Sequence, residues 1–251
     1  AMSDKVHTEV RGRVLVIELR RPEKRNAFDQ EVTDGLSAAL DLLEDDPELR
    51  VGVLTGGPSS FSAGTDLRAG SSSTPRGGPY GIVRRRRHAP LIAAVEGPAL
   101  GGGTEIVLAC DLVVASTTAV FGLPEVELGL VPNCAGLFRA PRALPLNIAR
   151  ELLLTGGRLD VERAERLGLV NRIVPAGEAL GAAVVMAEQI CTLGPVAVRE
   201  TMRALRGLYA EEDERGFSLT DAAETAIQAS ADAQEGVAAF LEKREPRWTG
   251  R

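Results

Sequence analysis

The sequence predicts an α/β fold in which alternating strands and helices are followed by helices alone. Short β-branched apolar runs separated by glycine-rich turns occupy the chain up to about residue 115, whereas helically periodic apolar stretches dominate after about residue 140. Of the 251 residues, 44% are hydrophobic and 25% are charged, as in ordinary globular proteins. A chain of this length forms one large domain, or a main domain with an appendage.

In the first half, four apolar runs bounded by Gly- or Pro-containing turns predict strands, at 14–19, 51–55, 91–95 and 112–115. Asp29 is a suitable N-cap for a helix to about Glu44, since apolar residues recur on one face up to that point and Pro47 follows. Another helix is expected to begin at about Thr104, after three glycines.

The second half is expected to be mostly helical. Helices are predicted at 145–154, 178–193, 195–208 and 217–241, and one short strand at 169–174. Between the two halves of the pattern, residues 69–81 are rich in Ser, Gly and Pro and predict a loop. The four arginines at 84–87 are interpreted as the exposed face of a helix, with a phosphate clamp or an RNA-binding patch as the alternatives.

Composition excludes several functional classes. A formal charge of -6 argues against a dedicated nucleic-acid binder, and no apolar run approaches the length of a membrane span. The first residues show no basic-then-apolar signal pattern, so a cytoplasmic protein is expected. Three distant cysteines without a CxxC pair, and only two histidines, predict neither a disulfide framework nor a metal site. Chemistry here is expected to use carboxylates and backbone groups.

Three segments have residues suited to chemistry. In GGGTE at 101–105, glycines at a helix start leave N–H groups that suit an oxygen gaining negative charge, and Glu105 lies one turn further on. In FSAGTD at 61–66, small residues permit a close backbone approach. In FGLPE at 121–125, apolar surroundings would raise the pKa of Glu125 and suit it to proton transfer.

Each segment also has a simpler interpretation. The glycines at 101–103 would allow tight packing of a helix on a strand, and Asp66 would cap a helix after an ordinary turn. Glu125 would be a solvated loop acid, with Glu127 as its competitor on the opposite side of an extended segment. His88 is expected to pack or hydrogen-bond locally, and a hydrolase pair with Ser62 lacks an acid partner.

Taken together, the ordered motifs FSAGTDL, AAVEGPALGGGTE and FGLPEVELGLVP resemble those of the enoyl-CoA hydratase/isomerase, or crotonase, family. The resemblance covers about residues 14–244. It implies an oxyanion hole made by the backbone N–H groups of Thr65 and Gly102, which would bind an acyl-CoA thioester oxygen. It also implies that Glu105 and Glu125 activate water and protonate Cα. The presence of both glutamates favours hydration over double-bond isomerisation.

The same resemblance implies coenzyme A contacts at positions matching the family's binding segments: Lys24, Arg25, Asn26, Ala63, Asp66, Arg68, Phe240 and Lys243. The last two belong to FLEKR at 240–244, which in the family touches coenzyme A, often that of a neighbouring subunit. For the basic residues the alternative is a solvated surface charge, and for Phe240 it is helix packing. No cofactor is expected beyond coenzyme A as part of the substrate.

The implied fold is a crotonase-like spiral of ββα units over 1–195, with a C-terminal helical region at 196–251 that builds trimers or dimers of trimers. The implied reaction is hydration of a trans-2-enoyl-CoA. The alternatives are a carnitinyl-CoA or other hydroxyacyl-CoA dehydratase or racemase, a double-bond isomerase, and a non-catalytic RNA-binding relative. VPNCAG at 131–136 departs from the common VPGAGG, so Asn133 and Cys134 either line the acyl pocket or serve as a cap and a buried small residue.

Overall fold

The computed structural model describes residues 4–251, so residues 1–3 of the predicted core domain lie outside the described chain. The described chain contains eleven strands: β1 Val6–Arg11, β2 Val14–Leu19, β3 Val51–Thr55, β4 Ser73–Thr74, β5 Gly78–Pro79, β6 Leu91–Val95, β7 Pro98–Leu100, β8 Leu112–Ser116, β9 Val120–Gly122, β10 Arg158–Asp160 and β11 Arg172–Val174. It contains nine α-helices: α1 Gln30–Asp45, α2 Gly102–Ala109, α3 Gly136–Ala143, α4 Leu146–Thr155, α5 Val161–Arg166, α6 Ala179–Cys191, α7 Pro195–Leu208, α8 Ala210–Gln228 and α9 Ala231–Glu242. The described chain also contains two 3-10 helices, Pro22–Lys24 and Pro124–Leu128.

The main sheet has six strands in the order β1-β2-β3-β6-β8-β11. The first pair is antiparallel and every later pair is parallel. A second sheet, β10-β9-β7, lies beyond the ends of the main strands, and β4 and β5 form a short hairpin. The α/β class predicted from the sequence is confirmed.

Both faces of the main sheet are buried, which explains why its strands are continuous apolar runs. Along β2, Leu15 and Ile17 face a core shared with α1, whereas Val14 and Val16 face a core shared with α6. Helix α6 begins where the buried Glu96 carboxylate accepts a hydrogen bond from the Ala179 N–H at 3.0 Å. The sheet is therefore a rigid platform whose strand ends carry the loops described below.

Most predicted elements of the first half are confirmed. Asp29 caps α1 by accepting a hydrogen bond from the Val32 N–H at 2.9 Å. The glycine-opened helix starts at Gly102, two residues earlier than predicted, because Gly101 adopts a positive φ of 55° that only glycine takes readily. The strands β1, β4, β5, β7, β9 and β10 and the helices α3 and α5 were not predicted, and β4 and β5 lie in the stretch 69–81 for which a loop is predicted.

Three further predictions are wrong, two of them about boundaries in the second half and one about the conformation around Glu125. The expected strand at 169–174 shrinks to β11, because the N–H groups of Leu169 and Val170 bond to the Ala164 carbonyl at the end of α5. The expected helix at 217–241 is instead the end of α8 and the whole of α9, since Ser230 caps a new helix by accepting a bond from the Ala233 N–H. The segment Pro124–Leu128 is a 3-10 helix, so the expectation of an extended segment around Glu125 is also wrong.

The prediction that the arginines at 84–87 form an exposed helix face is wrong. The segment is non-helical, and the side chains of Arg85 and Arg87 are 1% and 3% exposed. Arg85 pairs with Asp41 at 2.5 Å and Arg87 with Asp111 at 2.8 Å, so both charges are neutralised inside the fold. Arg84 pairs with Asp221 and stacks on a phenyl ring of α8, which attaches the C-terminal helices to the core.

The C-terminal helices contact the core at several places, including an ion pair between Arg206 of α7 and Asp111. On α8, Phe217 stacks edge-on with Phe138 of α3 at 5.0 Å between ring centroids. On α9, Gly236 lies so close to the Leu128 carbonyl that an added Cβ would be 2.1 Å from it. Across residues 4–251, no single helix is long and apolar enough to cross a membrane, although α6 and α7, bent by 107° at their junction, together reach that length and composition.

Candidate active site

Two loops meet beyond the carboxyl ends of β3 and β6. The first loop contains Ser62, Gly64 and Thr65, and the second leads through β7 into the start of α2. A parallel β-bridge between Ser62 and Ala99 holds the two loops in register. The Ser62 hydroxyl, which donates to the Asn26 carbonyl at 2.8 Å, also accepts a bond from the Gly64 N–H at 3.1 Å. Ser62 is therefore a structural residue, and no bond among the described residues links it to His88.

The contact between these loops requires glycine. Gly64 has a φ of 82°, and a Cβ added to it would lie 2.6 Å from the Gly102 nitrogen. A Cβ on Gly103 would lie 2.2 Å from the Ser62 carbonyl oxygen. Within the described chain, neither the Thr65 N–H nor the Gly102 N–H has a hydrogen-bond acceptor. The loops thus bring together two free backbone donors, at the start of a helix whose dipole favours negative charge.

Glu105 lies in the first turn of the helix that begins at Gly102 and is buried, at 1% exposure. Its Oε1 accepts hydrogen bonds from the N–H groups of Cys134 and Gly136, each at 2.8 Å. Burial raises the pKa of Glu105 to about 7, and the two backbone bonds act in the opposite direction. Its position in the first turn of α2 does not place Glu105 in solvent, because these bonds hold the carboxyl inside the protein.

Glu125 approaches the same place from the 3-10 helix at Pro124–Leu128. Its Oε1 lies 3.1 Å from where a Cβ on Gly101 would be, and its Oε2 is buried without a hydrogen-bond partner in the described chain. Burial, with the charge of Glu105, raises the pKa of Glu125 to about 8. Glu127, its competitor in the sequence, is exposed and lies against Gly156 on the other side.

The two carboxyls have different proton affinities for an identifiable reason. Glu105 is stabilised as an anion by two N–H donors, whereas the buried oxygen of Glu125 has none. Since each charge opposes the other, ionisation of one carboxyl raises the pKa of its partner, and Glu105 is the one better stabilised as an anion. The site therefore contains two carboxyls with raised pKa values and unequal hydrogen bonding beside two free backbone donors.

Tyr80 is a site residue that the sequence analysis missed. Its ring packs on Phe28 with centroids 4.9 Å apart, and its hydroxyl lies 2.6 Å from the Thr65 Oγ1. A Cβ on Gly102 would be 2.2 Å from the same hydroxyl oxygen. The sequence signal for it is a single large aromatic residue within the small-residue stretch 69–81, whose composition predicts only a loop.

Most of the residues expected at coenzyme A form one exposed region beside the first loop. Lys24, Arg25, Ala63 and Arg68 are exposed, and the Arg25 carbonyl accepts a bond from the Ala63 N–H at 2.9 Å. Asp66 does not cap a helix. It accepts a bond from the Arg68 N–H at 3.1 Å, within a turn.

Two neighbours of this region serve the scaffold. Asn26 is buried, and its amide donates to three backbone carbonyls, those of Gly56, Ser60 and Phe61. Arg21, which the sequence analysis did not single out, pairs with Asp66 at 2.9 Å and so orients that carboxylate. The coenzyme A roles of the expected residues remain predictions. Asn26 would contribute to coenzyme A binding by positioning the loop whose carbonyls accept its hydrogen bonds.

Phe240 and Lys243 lie near the end of α9 and remain apart from that region: no contact among the described residues joins them to it. The Phe240 ring is 58% exposed, so helix packing does not account for it. Lys243 ends α9 in a left-handed conformation with a φ of 56° and is exposed. Their expected contact with coenzyme A of a neighbouring subunit stays a prediction.

Asn133 and Cys134 connect the site to α8. The Asn133 amide donates to Glu224 at 2.9 Å, and the Cys134 thiol lies 3.3 Å from the Asn133 side-chain oxygen. Cys134 is buried, and its N–H is one of the two that hold Glu105. Neither side chain caps α3. Among residues 4–251, no group of three His, Cys, Asp or Glu side chains is arranged to hold a metal ion.

Comparison with known proteins agrees with this geometry. The family model described as enoyl-CoA hydratase/isomerase matches residues 9–251. The chain is 37% identical to enoyl-CoA hydratase EchA19 of Mycobacterium tuberculosis, over 97% of this chain and 96% of that protein. It is 39% identical to carnitinyl-CoA dehydratase of Proteus mirabilis, with both chains fully covered. The structure of a carnitinyl-CoA hydratase from Mycobacterium avium superposes with a TM-score of 0.94, at 39% identity and full coverage of both chains.

This chain therefore belongs to the enoyl-CoA hydratase/isomerase family and has its crotonase fold. The resemblance noted from the motifs is confirmed, as is the expected fold class.

Proposed function

We propose that this protein catalyses the reversible syn-addition of water to a trans-2-enoyl-CoA, giving a 3-hydroxyacyl-CoA. The observation that carries this proposal is the paired arrangement of Glu105 and Glu125. One buried carboxylate is held by backbone donors, and one buried acid has a free oxygen, beside two unpaired N–H groups. Hydration needs a base for water, an acid for Cα and a site for developing negative charge, and this arrangement can supply all three.

In the proposed reaction the thioester oxygen accepts hydrogen bonds from the N–H groups of Thr65 and Gly102. Glu105 takes a proton from water while the oxygen of that water bonds to Cβ. The electrons of the double bond shift toward the thioester oxygen, where the two donors stabilise the enolate. Glu125 then gives its proton to Cα. Hydrogen bonding supports this division of roles, because two N–H donors stabilise Glu105 as an anion, whereas the buried Glu125 Oε2 has no donor.

Lys24, Arg25, Asn26, Ala63, Asp66 and Arg68 are proposed to bind coenzyme A along the exposed region beside the first loop. Phe240 and Lys243 are proposed to do so from the C-terminal helix. In this proposal the protein acts on an acyl-CoA thioester and uses no other cofactor. Arg85 and Arg87 are buried in ion pairs and are therefore not available to contact RNA, which weakens the RNA-binding alternative.

The decisive experiment follows the ultraviolet absorbance of the conjugated thioester in crotonyl-CoA and in a longer 2-enoyl-CoA. Wild type should remove this band and form 3-hydroxyacyl-CoA, whereas Glu105→Gln and Glu125→Gln should each lower kcat by about 10²-fold or more. Glu127→Gln is the matched control, since its exposed side chain lies on the other side of the 3-10 helix. Near-wild-type turnover in both site variants would show that the proposed acid–base pair is wrong.

A second candidate is dehydration of a carnitinyl-CoA, because relatives at 39% identity have that name and the same full-length coverage. The two candidates use the same carboxyl pair and differ in the acyl group. Parallel assays with crotonyl-CoA and crotonobetainyl-CoA separate them through the ratio of kcat/KM values. If the protein left the double bond of both substrates intact but moved the double bond of a 3-enoyl-CoA to another position, the result would instead support an isomerase.

We further propose that residues 1–195 form the spiral core and residues 196–251 an oligomerisation region, in a trimer or a dimer of trimers. Helix α7 supports this, since its apolar residues follow a helical period and yet none of its residues is buried within this chain. Leu205 and Leu208 are 50% and 73% exposed. A row of leucines left in water on an ordered helix is typical of a surface covered by another subunit.

A further inference from the structure

Tyr80 lies between the two residues proposed to bind the thioester oxygen. Its hydroxyl is 2.6 Å from the Thr65 Oγ1, and it fills the space that a side chain on Gly102 would occupy. The side chain is buried, and its ring is fixed against Phe28. The hydroxyl is therefore held at the oxyanion site by both a packing contact and a hydrogen bond.

The Tyr80 hydroxyl has two side-chain neighbours, the Thr65 hydroxyl and the Cys134 thiol. In the Thr65–Tyr80 pair either oxygen can be the donor. When the Thr65 hydroxyl donates to the Tyr80 Oη, the phenolic proton faces either the Cys134 sulfur, which is a weak acceptor, or an oxygen bound in the site. Burial, with the nearby Cys134 and Glu105 groups, raises the pKa of Tyr80, so the phenol keeps that proton at neutral pH.

We propose that the Tyr80 hydroxyl is a third hydrogen-bond donor to the thioester oxygen, beside the N–H groups of Thr65 and Gly102. This inference rests on the proposed acyl-CoA function and extends it to a side chain that the motifs did not indicate. As the double-bond electrons move to the thioester oxygen, the Tyr80 O–H turns toward that oxygen and keeps its proton. The Thr65 hydroxyl donates to the Tyr80 oxygen and strengthens it as a donor.

Two variants distinguish this role from packing. Tyr80→Phe keeps the ring against Phe28 and removes the proposed donor. Thr65→Val keeps the Thr65 N–H and the β-branched shape, but it removes the same Thr65–Tyr80 hydrogen bond while leaving the phenol in place. A purely structural role for that bond predicts equal effects from both variants, whereas donation to the substrate predicts a much larger effect from Tyr80→Phe.

The probe is 4-dimethylaminocinnamoyl-CoA, a conjugated thioester whose absorbance moves to longer wavelength when its carbonyl is polarised. At saturation, wild type should give a red shift, Thr65→Val a slightly smaller one because the Tyr80 donor loses its supporting bond, and Tyr80→Phe by far the smallest. With crotonyl-CoA, Tyr80→Phe should lower kcat by about tenfold with little change in KM, less than the 10²–10³-fold typical of a main oxyanion donor. Melting temperatures show whether each variant is folded.

An undiminished red shift in Tyr80→Phe would overturn the inference, and so would equal losses in the two variants. A wild-type protein that binds the probe without any red shift would overturn the proposed oxyanion site itself, and the third donor with it. The failure of this inference is thus distinguishable from the failure of the proposed function.

Discussion

The contact between Gly64 and Gly102 offers the sharpest test of how the fold builds the site. Gly64 has a φ of 82°, and a Cβ there would lie 2.6 Å from the Gly102 nitrogen and 3.1 Å from the Leu100 carbonyl. A left-handed conformation costs alanine about 1–2 kcal/mol. Because both contacts are backbone atoms, the Gly102 N–H must also move by several tenths of an ångström in Gly64→Ala.

This displacement should affect catalysis more than stability. Loss of one oxyanion donor typically lowers kcat by about 10²–10³-fold, and a displaced donor should fall near the lower end. We therefore expect Gly64→Ala to lower kcat for crotonyl-CoA hydration by about 10²-fold, equivalent to about 2.7 kcal/mol. The assay is the decrease of the enoyl-thioester absorbance at saturating substrate, with the melting temperature measured in parallel.

Gly168→Ala is the matched control. Gly168 has a similar φ of 87°, but no atom lies within 4 Å of its added Cβ. Gly168→Ala therefore has the same backbone cost as Gly64→Ala but no steric contact with the added Cβ. It should lower the stability somewhat and leave kcat at the wild-type value. If Gly64→Ala had the same kcat as Gly168→Ala, the reasoning that the glycine contact sets the position of the Gly102 N–H would be refuted.

Three further predictions follow from the structure. Burial raises the pKa values of Glu105 and Glu125 to about 7 and about 8, so the stability that their protonation supplies is complete below about pH 4.5 and is lost as pH rises through those values. The melting temperature of a Glu105→Gln/Glu125→Gln double variant should accordingly fall less than that of wild type between pH 5 and 9; parallel curves would contradict the raised pKa values. Asn26→Ala leaves buried carbonyls without their donor and should lower the free energy of unfolding in urea by about 2–4 kcal/mol, and a loss below 0.5 kcal/mol would be too small for that role. Leu205→Glu combined with Leu208→Glu should reduce the molecular mass in sedimentation velocity if α7 forms the subunit interface, and an unchanged mass would exclude that surface.

Local rules explain why so much of the fold and site was predictable. Asp29 could be predicted as a cap because capping depends on bonds within one helical turn. The strands of the main sheet could be predicted because burial on both faces demands continuous apolar runs. Glu105 and Glu125 could be singled out because their motifs place a carboxyl beside glycine-rich or proline-containing backbone, and the structure brings both to one place.

The errors came from interactions between residues distant in the sequence. The arginines at 84–87 resemble a solvated charge run until Asp41 and Asp111 are brought against them by the fold. Tyr80 lies in a stretch whose composition indicates only a loop. Its packing on Phe28 and its bond to Thr65 connect separate parts of the chain.

By itself, then, the sequence determined the fold class, the glycine-dependent turns and the residue types available for acid–base chemistry. These depend on backbone conformation and on periodic burial, which a short segment specifies alone. Only the tertiary structure decided which carboxyl is held by backbone donors and which is left with a free oxygen. That difference arises from desolvation and from contacts between Glu105, Glu125 and the loop at Cys134 and Gly136, which adjoin only after the chain has folded.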